Sequence, residues 1–459
     1  MSFPQRLAPG LDQLRKFYVG KDINQVPKPA VILDRAIMRR HCDSLLEAVG
    51  ELGVGFRAHV KTHKTREGLV LQMEKNQHDV DIVVSTVAEL EFMLPPLRDF
   101  QRKGRRVNVL YGIPLPSSQV PRLAAVAAQL GRGAITVMID HADQLALVEQ
   151  FNDLAGFPAC IFIKVDTGYH RAGLPPSGLN KDDLIPRVAH LESQGKAQLL
   201  GLYSHSSLSY NDSTPEEAMA NLEGEINGCL EALNKNSHLF PQDKELVIST
   251  GASPQVTAIE NLRESSSTAH ESRRSLLATI ERVKAAQPGG LRTSLELHAG
   301  VYSILDVQQL STKSRAYLGS YEEEIAISVM TEVSSVYNNG ERDQPEALLG
   351  IGVLGLGREP CFAYKGWGIV HRDAYSPNQE PDHRLIVSRV SQEHAIVAWD
   401  GTAASQDVAI PLHVGQSVRI LPNHACVTGA MYDWYLIVDS SSSESTTEIV
   451  DVWVRASGW

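Results

Sequence analysis

The stretch Arg57-Ala58-His59-Val60-Lys61-Thr62-His63-Lys64-Thr65 concentrates more polar chemistry than any other part of this chain. A lysine among Arg57, His59, His63 and Lys64 stands in a positive field. Nearby cations favour the neutral amine, the form that attacks aldehydes. On spacing alone, a basic surface turn at a helix start is an equal reading.

Five further segments end in polar or small residues. Lys164–Gly173 runs from a strand-like stretch into a turn where Gly168 and Gly173 permit tight backbone paths, with Arg171 free to meet an anionic or ring partner. Gly201–Tyr210 places Tyr203 at a strand end and Tyr210 in the following loop. Ser249-Thr250-Gly251-Ala252-Ser253-Pro254 ends a strand in small residues before a helix, a junction whose exposed N–H groups favour phosphate. Glu296–Tyr302 ends in Gly300, with Tyr302 within reach of the same phosphate. In Leu421–Cys426, His424 and Cys426 are one residue apart, on one face if the segment is a strand. Imidazole and thiolate are both good zinc ligands, although spacing alone favours a core cysteine beside a polar histidine. Singly, the others also read as ordinary turns or core residues.

The positioning elements follow from periodicity. Short apolar runs at Ala30–Leu33, Ile82–Ser85, Val107–Tyr111, Ile135–Ile139, Cys160–Val165, Leu199–Tyr203, Leu246–Ser249 and Ser294–Leu297 alternate with helical patterns. The helical patterns include Ala36–Leu52, Val87–Leu94, Val120–Leu130 and Pro215–Leu233. Such alternation predicts an α/β fold of repeated βα units. The number of units fits a (β/α)8 TIM barrel, and an open doubly wound sheet shares the pattern. The Ser-rich segment Glu264–Arg274 reads as a loop or a solvated helix start.

Near residue 311 the helical periods fade. Strand-like runs follow at Ile325–Val336, Leu385–Ser388, Ala395–Trp399, Ser417–Leu421, Trp434–Val438 and Glu448–Val454, with a hairpin loop expected at Asp439–Thr447. The expected division is an N-terminal extension over 1–28, a barrel over 29–310 and a C-terminal β domain over 311–459.

A formal net charge of −11 argues against general nucleic-acid binding. Five scattered cysteines without a CxxC pair argue against a disulfide framework. With no apolar run near 20 residues and no secretory-type leader, the expectation is a non-membrane, cytosolic protein.

Taken together and in this order, the motifs resemble the D-serine dehydratase and D-threonine aldolase group of fold type III, alanine-racemase-like enzymes dependent on pyridoxal 5′-phosphate (PLP). The resemblance spans Pro29 to Trp459 and is most specific at Arg57–Thr65, Glu296–Tyr302 and Pro422–Cys426. It implies a (β/α)8 barrel followed by a β domain. It implies that Lys61 forms the Schiff base with PLP, and that His59 belongs to the cofactor site. It places Arg171 beside the cofactor ring, Tyr203 near the pyridine nitrogen and Tyr210 as a second tyrosine of that site. Gly251, Ala252 and Ser253 fall on its phosphate turn, with Tyr302 nearby. His424 and Cys426 match the zinc ligands of the eukaryotic dehydratases.

An aspartate stands where Cys426 does in the aldolases, and thiolate suits Zn²⁺ better than carboxylate does. The implied activity is elimination of water from a D-β-hydroxy amino acid, with D-serine, D-threonine and D-3-hydroxyaspartate as candidates. Aldol cleavage is the alternative, and a non-catalytic PLP-binding protein is the reading of another class. A homodimer is implied. The segment Gly355–Gly366 departs from the family, with other residues, Tyr364 and Lys365 among them, where aspartates are common.

Overall fold

In a computed structural model, residues 9–75, 79–263, 270–285, 287–375, 384–401 and 408–459 are described. The first strand, β1 (Ala30–Asp34), leads into the helix Arg35–Leu52. Asp34 caps that helix by accepting from the N–H groups of Ala36 and Ile37, and Gly53 ends it at φ 59°. Eight parallel strands then close into a barrel. They are β2 (Gly55–His59), β3 (Asp79–Val84), β4 (Arg106–Pro114), β5 (Ile135–Ile139), β6 (Ala159–Val165), β7 (Ala197–Ser204), β8 (Glu245–Thr250) and β9 (Arg292–Ala299). Strand β9 pairs back onto β2.

Eight strands were expected, but not these eight. Ala30–Asp34 is not a barrel strand: it pairs antiparallel with β10 (Ile327–Tyr337). The barrel's first strand is Gly55–His59, which the apolar pattern does not signal because Arg57 and His59 alternate with Phe56 and Ala58. Phe56 and Ala58 join the helix-facing core, while Arg57 turns into the barrel.

The barrel interior is layered. Near the N-terminal end, Arg57 forms a two-point ion pair with Glu296 at 2.7 and 3.0 Å and donates to Asn108 Oδ1 at 2.8 Å. Ser249 Oγ donates to the same glutamate at 2.8 Å. Above this polar layer lie Val83, Leu110, Met138, Phe162 and Tyr203. Filled layers of this kind make the barrel a solid platform with its chemistry at the C-terminal mouth.

The remaining strands are β11 (Glu346–Leu349), β12 (Gly368–Val370), β13 (Arg384–Val390), β14 (Ala395–Asp400), β15 (Ser417–Pro422), β16 (Trp434–Val438) and β17 (Asp451–Val454). With β1 and β10 they form one sheet in the order β11-β14-β13-β12-β15-β10-β1-β16-β17. Strand β11 also pairs with β10, so six strands curl around a second apolar core that includes Val329, Leu349, Val387 and Ile420. Strand β1 lies parallel to β16 on its other side. Leu421, Tyr435, Ile437 and Trp453 pack into the same core as the barrel's outer faces. The loop expected at Asp439–Thr447 joins β16 to β17. Of the loop or helix start expected at Glu264–Arg274, residues 264–269 lie outside the described residues, and a helix spans His270–Lys284. Among the described residues, no helix is long and apolar enough to cross a membrane.

Candidate active site

The barrel mouth and the β domain enclose a cavity of about 700 Å³. That volume suits a cofactor with a small substrate. The fold sorts the basic cluster Arg57–Thr65. Arg57 is consumed by Glu296 below the mouth. Lys64 is held 2.7 Å from the buried carboxylate of Glu89. His63 is fully buried between Thr65 Oγ1 and Gln72 Oε1. Of that cluster, Lys61 and His59 line the cavity. The positive field expected from sequence is thus largely neutralised, since buried cations need anionic partners.

Three imidazoles line the cavity around Lys61: His59, His205 and His298. Burial holds all three well below the usual histidine range, and the charges of Lys61 (for His59 and His205) and Lys164 (for His298) act in the same direction. They are neutral at ordinary pH. His205 Nδ1 donates to the Gly251 carbonyl. Because Ser249 Oγ donates to Glu296, it accepts from His298 Nδ1 at 3.1 Å. His298 Nε2 is left buried without a partner.

Arg171, Tyr210, Ala252 and Ser253 line the cavity as expected. Gly251 sits behind them at φ +145°, where a Cβ would come within 2.4 Å of the His298 carbonyl oxygen. Only glycine lets the backbone run there. No side chain caps the helix Ser253–Thr257, whose N-cap is Ala252, so its first N–H groups suit an external acceptor.

Two tyrosines depart from expectation. Tyr203 belongs to the barrel's apolar layer and stacks on His298 with centroids 4.2 Å apart, so His298 is the ring presented to the cavity. Tyr302 does not reach the phosphate turn. The short 3-10 turn Val301–Ser303 carries its ring inward, edge-on to Phe56 at 5.5 Å, with its hydroxyl toward Cys42 and Gln72. Gly300 and Val301 line the cavity instead.

His424 and Cys426 also reach the cavity, but not from a strand. His424 is the N-cap of a short helix, Ala425–Ala430, that contains Cys426. Burial raises the Cys426 thiol, yet the hydrogen bond from His424 and the charge of Lys61 outweigh it and hold the thiol below its usual value. Burial lowers His424, but Cys426, Asp306 and Glu359 together raise it to about 9. His424 Nδ1 has no hydrogen-bond acceptor. A thiolate beside an imidazole that can shed its proton is a donor set suited to zinc. Among the described residues, no group of three or more His, Cys, Asp or Glu is placed to hold a metal, so further ligands would come from solvent or substrate.

Sequence reasoning assigned no role to His205, His298, Lys164 or Glu359. The first three stand in or beside motifs at strand ends, and that placement was the available signal. Lys164, buried without a hydrogen-bond partner and with its Nζ 4.9 Å from the centre of the Tyr203 ring, is lowered by burial to about 8.

A closed parallel barrel with a lysine at its mouth, followed by a mainly antiparallel sheet, defines the alanine-racemase-like class, and the family model "Alanine racemase, N-terminal domain" matches residues 33–270. The model "Putative serine dehydratase domain" matches residues 326–438. A D-serine dehydratase of Schizosaccharomyces pombe is 33% identical over 452 residues, covering 98% of this chain and 96% of the relative. The chain belongs to the D-serine dehydratase family. A D-serine dehydratase of Saccharomyces cerevisiae is 27% identical, covering 96% of this chain and 98% of the relative. Among solved structures, the D-threo-3-hydroxyaspartate dehydratase from Delftia sp. HT23 shares the fold with TM-score 0.71 at 24% identity, covering 96% of this chain and 100% of that one.

Proposed function

We propose that this chain is a PLP- and zinc-dependent dehydratase that converts a D-β-hydroxy amino acid, D-serine foremost, to a 2-oxo acid and ammonia. The observation that carries the reading is the placement of Lys61, the one amine of its basic cluster left in the cavity, in the same cavity as the His424–Cys426 pair. The dehydratase relatives support it.

Lys61 is the amine to hold the cofactor aldehyde. The uncapped turn at Gly251–Ser253 and the bare Nε2 of His298 fit its phosphate and ring. His424 and Cys426 would hold the metal. When bound, PLP supplies an electron sink for the carbanion at Cα, and zinc a Lewis acid for the β-hydroxyl. Lys61, lining the cavity beside where Cα would lie, would take the proton from Cα. Arg171, which lines the cavity, would stand beside the cofactor ring. Neutral His59 and His205 give the site acceptors without adding charge. Loss of water from D-serine and hydrolysis of the resulting enamine yield pyruvate and ammonia.

The test is to incubate protein loaded with PLP and zinc with D-serine and with D-threonine. Pyruvate and 2-oxobutyrate, each with ammonia, are the expected products. Glycine and acetaldehyde from D-threonine would make the chain an aldolase, and no turnover with PLP bound would favour a non-catalytic carrier. A cytosolic homodimer belongs to this reading. The dimer rests on the family resemblance. Light scattering at twice the 50.3 kDa chain mass is expected.

A further inference from the structure

The segment that departs from the family, Gly355–Gly366, borders the cavity through Glu359, Cys361, Phe362 and Ala363. It is pinned in place. Asn423 Nδ2 donates to the carbonyls of Glu359 at 2.9 Å and Gly366 at 2.8 Å, and Gln308 Nε2 donates to that of Pro360 at 2.7 Å. Glu359 Oε2 lies 3.7 Å from His424 Nδ1. Asp306 lies on the other side of the same helix start, its carboxylate accepting from the N–H groups of Ala425 and Gln309. The neighbouring Arg358 turns toward the Trp367 ring instead and does not line the cavity. Glu359 and Asp306 are the carboxylates acting on His424, while Lys61, Arg171 and Lys313 are the cationic side chains lining the same cavity.

We propose that Glu359 is a charge filter, setting this cavity to accept D-β-hydroxy amino acids with an uncharged β-carbon and to reject those bearing a second carboxylate there. The inference rests on the proposed function, in which His424 and Cys426 serve the β-hydroxyl. A β-carboxylate shares its carbon with that hydroxyl. It would therefore enter on the side of the cavity that carries Glu359, where one unit charge changes affinity about tenfold in a half-wet site. D-Serine and D-threonine present hydrogen or methyl instead and escape the repulsion. Discrimination by a repulsive group, not by an added contact, is a common way to separate substrates of similar shape.

D-Aspartate and D-alanine lack the β-hydroxyl and report binding without elimination. Each is titrated into the holoenzyme and into its Glu359→Gln and Glu359→Lys variants, following the cofactor absorbance. D-Alanine is expected to bind the wild type more tightly. The D-aspartate to D-alanine affinity ratio is expected to rise about tenfold in Glu359→Gln and about a hundredfold in Glu359→Lys. The kcat/KM ratio of D-threo-3-hydroxyaspartate to D-serine should move the same way. In the wild type alone, which needs no variant to fold, raising salt from about 0.05 to about 0.5 M should narrow the discrimination, because Glu359 is partly exposed. Equal affinities in the wild type, ratios unmoved by either substitution, or indifference to salt would each overturn the filter. If neither amino acid perturbs the cofactor absorbance in any of the three proteins, the proposed function itself fails and the filter with it.

Discussion

Lys61 and Lys64 are three residues apart and chemically identical, and their surroundings alone assign them different work. Lys61→Ala is expected to abolish the visible absorbance of lysine-bound PLP while leaving the fold intact, read by absorbance and circular dichroism. Lys64→Ala removes the partner of Glu89, whose side chain is fully buried. Its expected effect is a loss of about 3 kcal/mol or more in stability, with the cofactor absorbance retained, read by urea denaturation. On the proposed reading that His424 and Cys426 hold zinc, Cys426→Ser should remove most of it, measured by elemental analysis, because a hydroxyl is a far poorer zinc ligand than a thiolate. Much of the site was legible at this scale, because the candidates stand where strands end. Tyr302 was not. Its position two residues past Gly300 predicts reach to the phosphate, and only the direction of the 3-10 turn sends its ring into the core instead.

Among elements, the informative one is β2. Its inward-facing Arg57 is 3% exposed and survives burial through Glu296, Asn108 and the nearby Asp81. Arg57→Met leaves Glu296 buried without its cation, and the expected loss is about 3–5 kcal/mol, visible as a lowered urea midpoint. The double variant Arg57→Met with Glu296→Leu should recover part of that loss, since an apolar pair removes both charges. The same feature explains why β2 was not predicted as a strand. A five-residue strand holding an arginine and a histidine has no apolar signature, whereas β5, Ile135–Ile139, buried throughout, announces itself. The exchange of β1 for β2 has a related cause: periodicity identifies a strand but not the sheet it joins.

For the whole molecule, pH is a usable probe. Burial lowers His41 to about 3 and His63 to about 4, and both are neutral in the fold. His41 Nε2 donates to the Glu324 carbonyl, joining the helix Arg35–Leu52 to the approach to β10. Both histidines take up protons more readily when unfolded, so their contribution is fully present above about pH 6.5 and is lost as pH falls toward their folded values. Between about pH 7.5 and 5 each should cost about 2 kcal/mol, so apoprotein urea midpoints should fall steeply over that range. His63→Gln should flatten the fall. A midpoint that does not move over that range would show that these histidines are not held neutral.

The place of β1 also bears on how the chain is made. Ala30–Asp34 is made before the barrel strands, yet its partners, Ile327–Tyr337 and Trp434–Val438, are made after them. The strands between, Gly55–Ala299, need nothing further to close their own ring. Synthesis therefore gives the eight barrel strands before the partners of this apolar strand, one edge of which stays open until Trp434–Val438 has been made. A chain that stops short of residue 434 leaves that strand with one flank unpaired, a ready template for joining its neighbours on a crowded polysome.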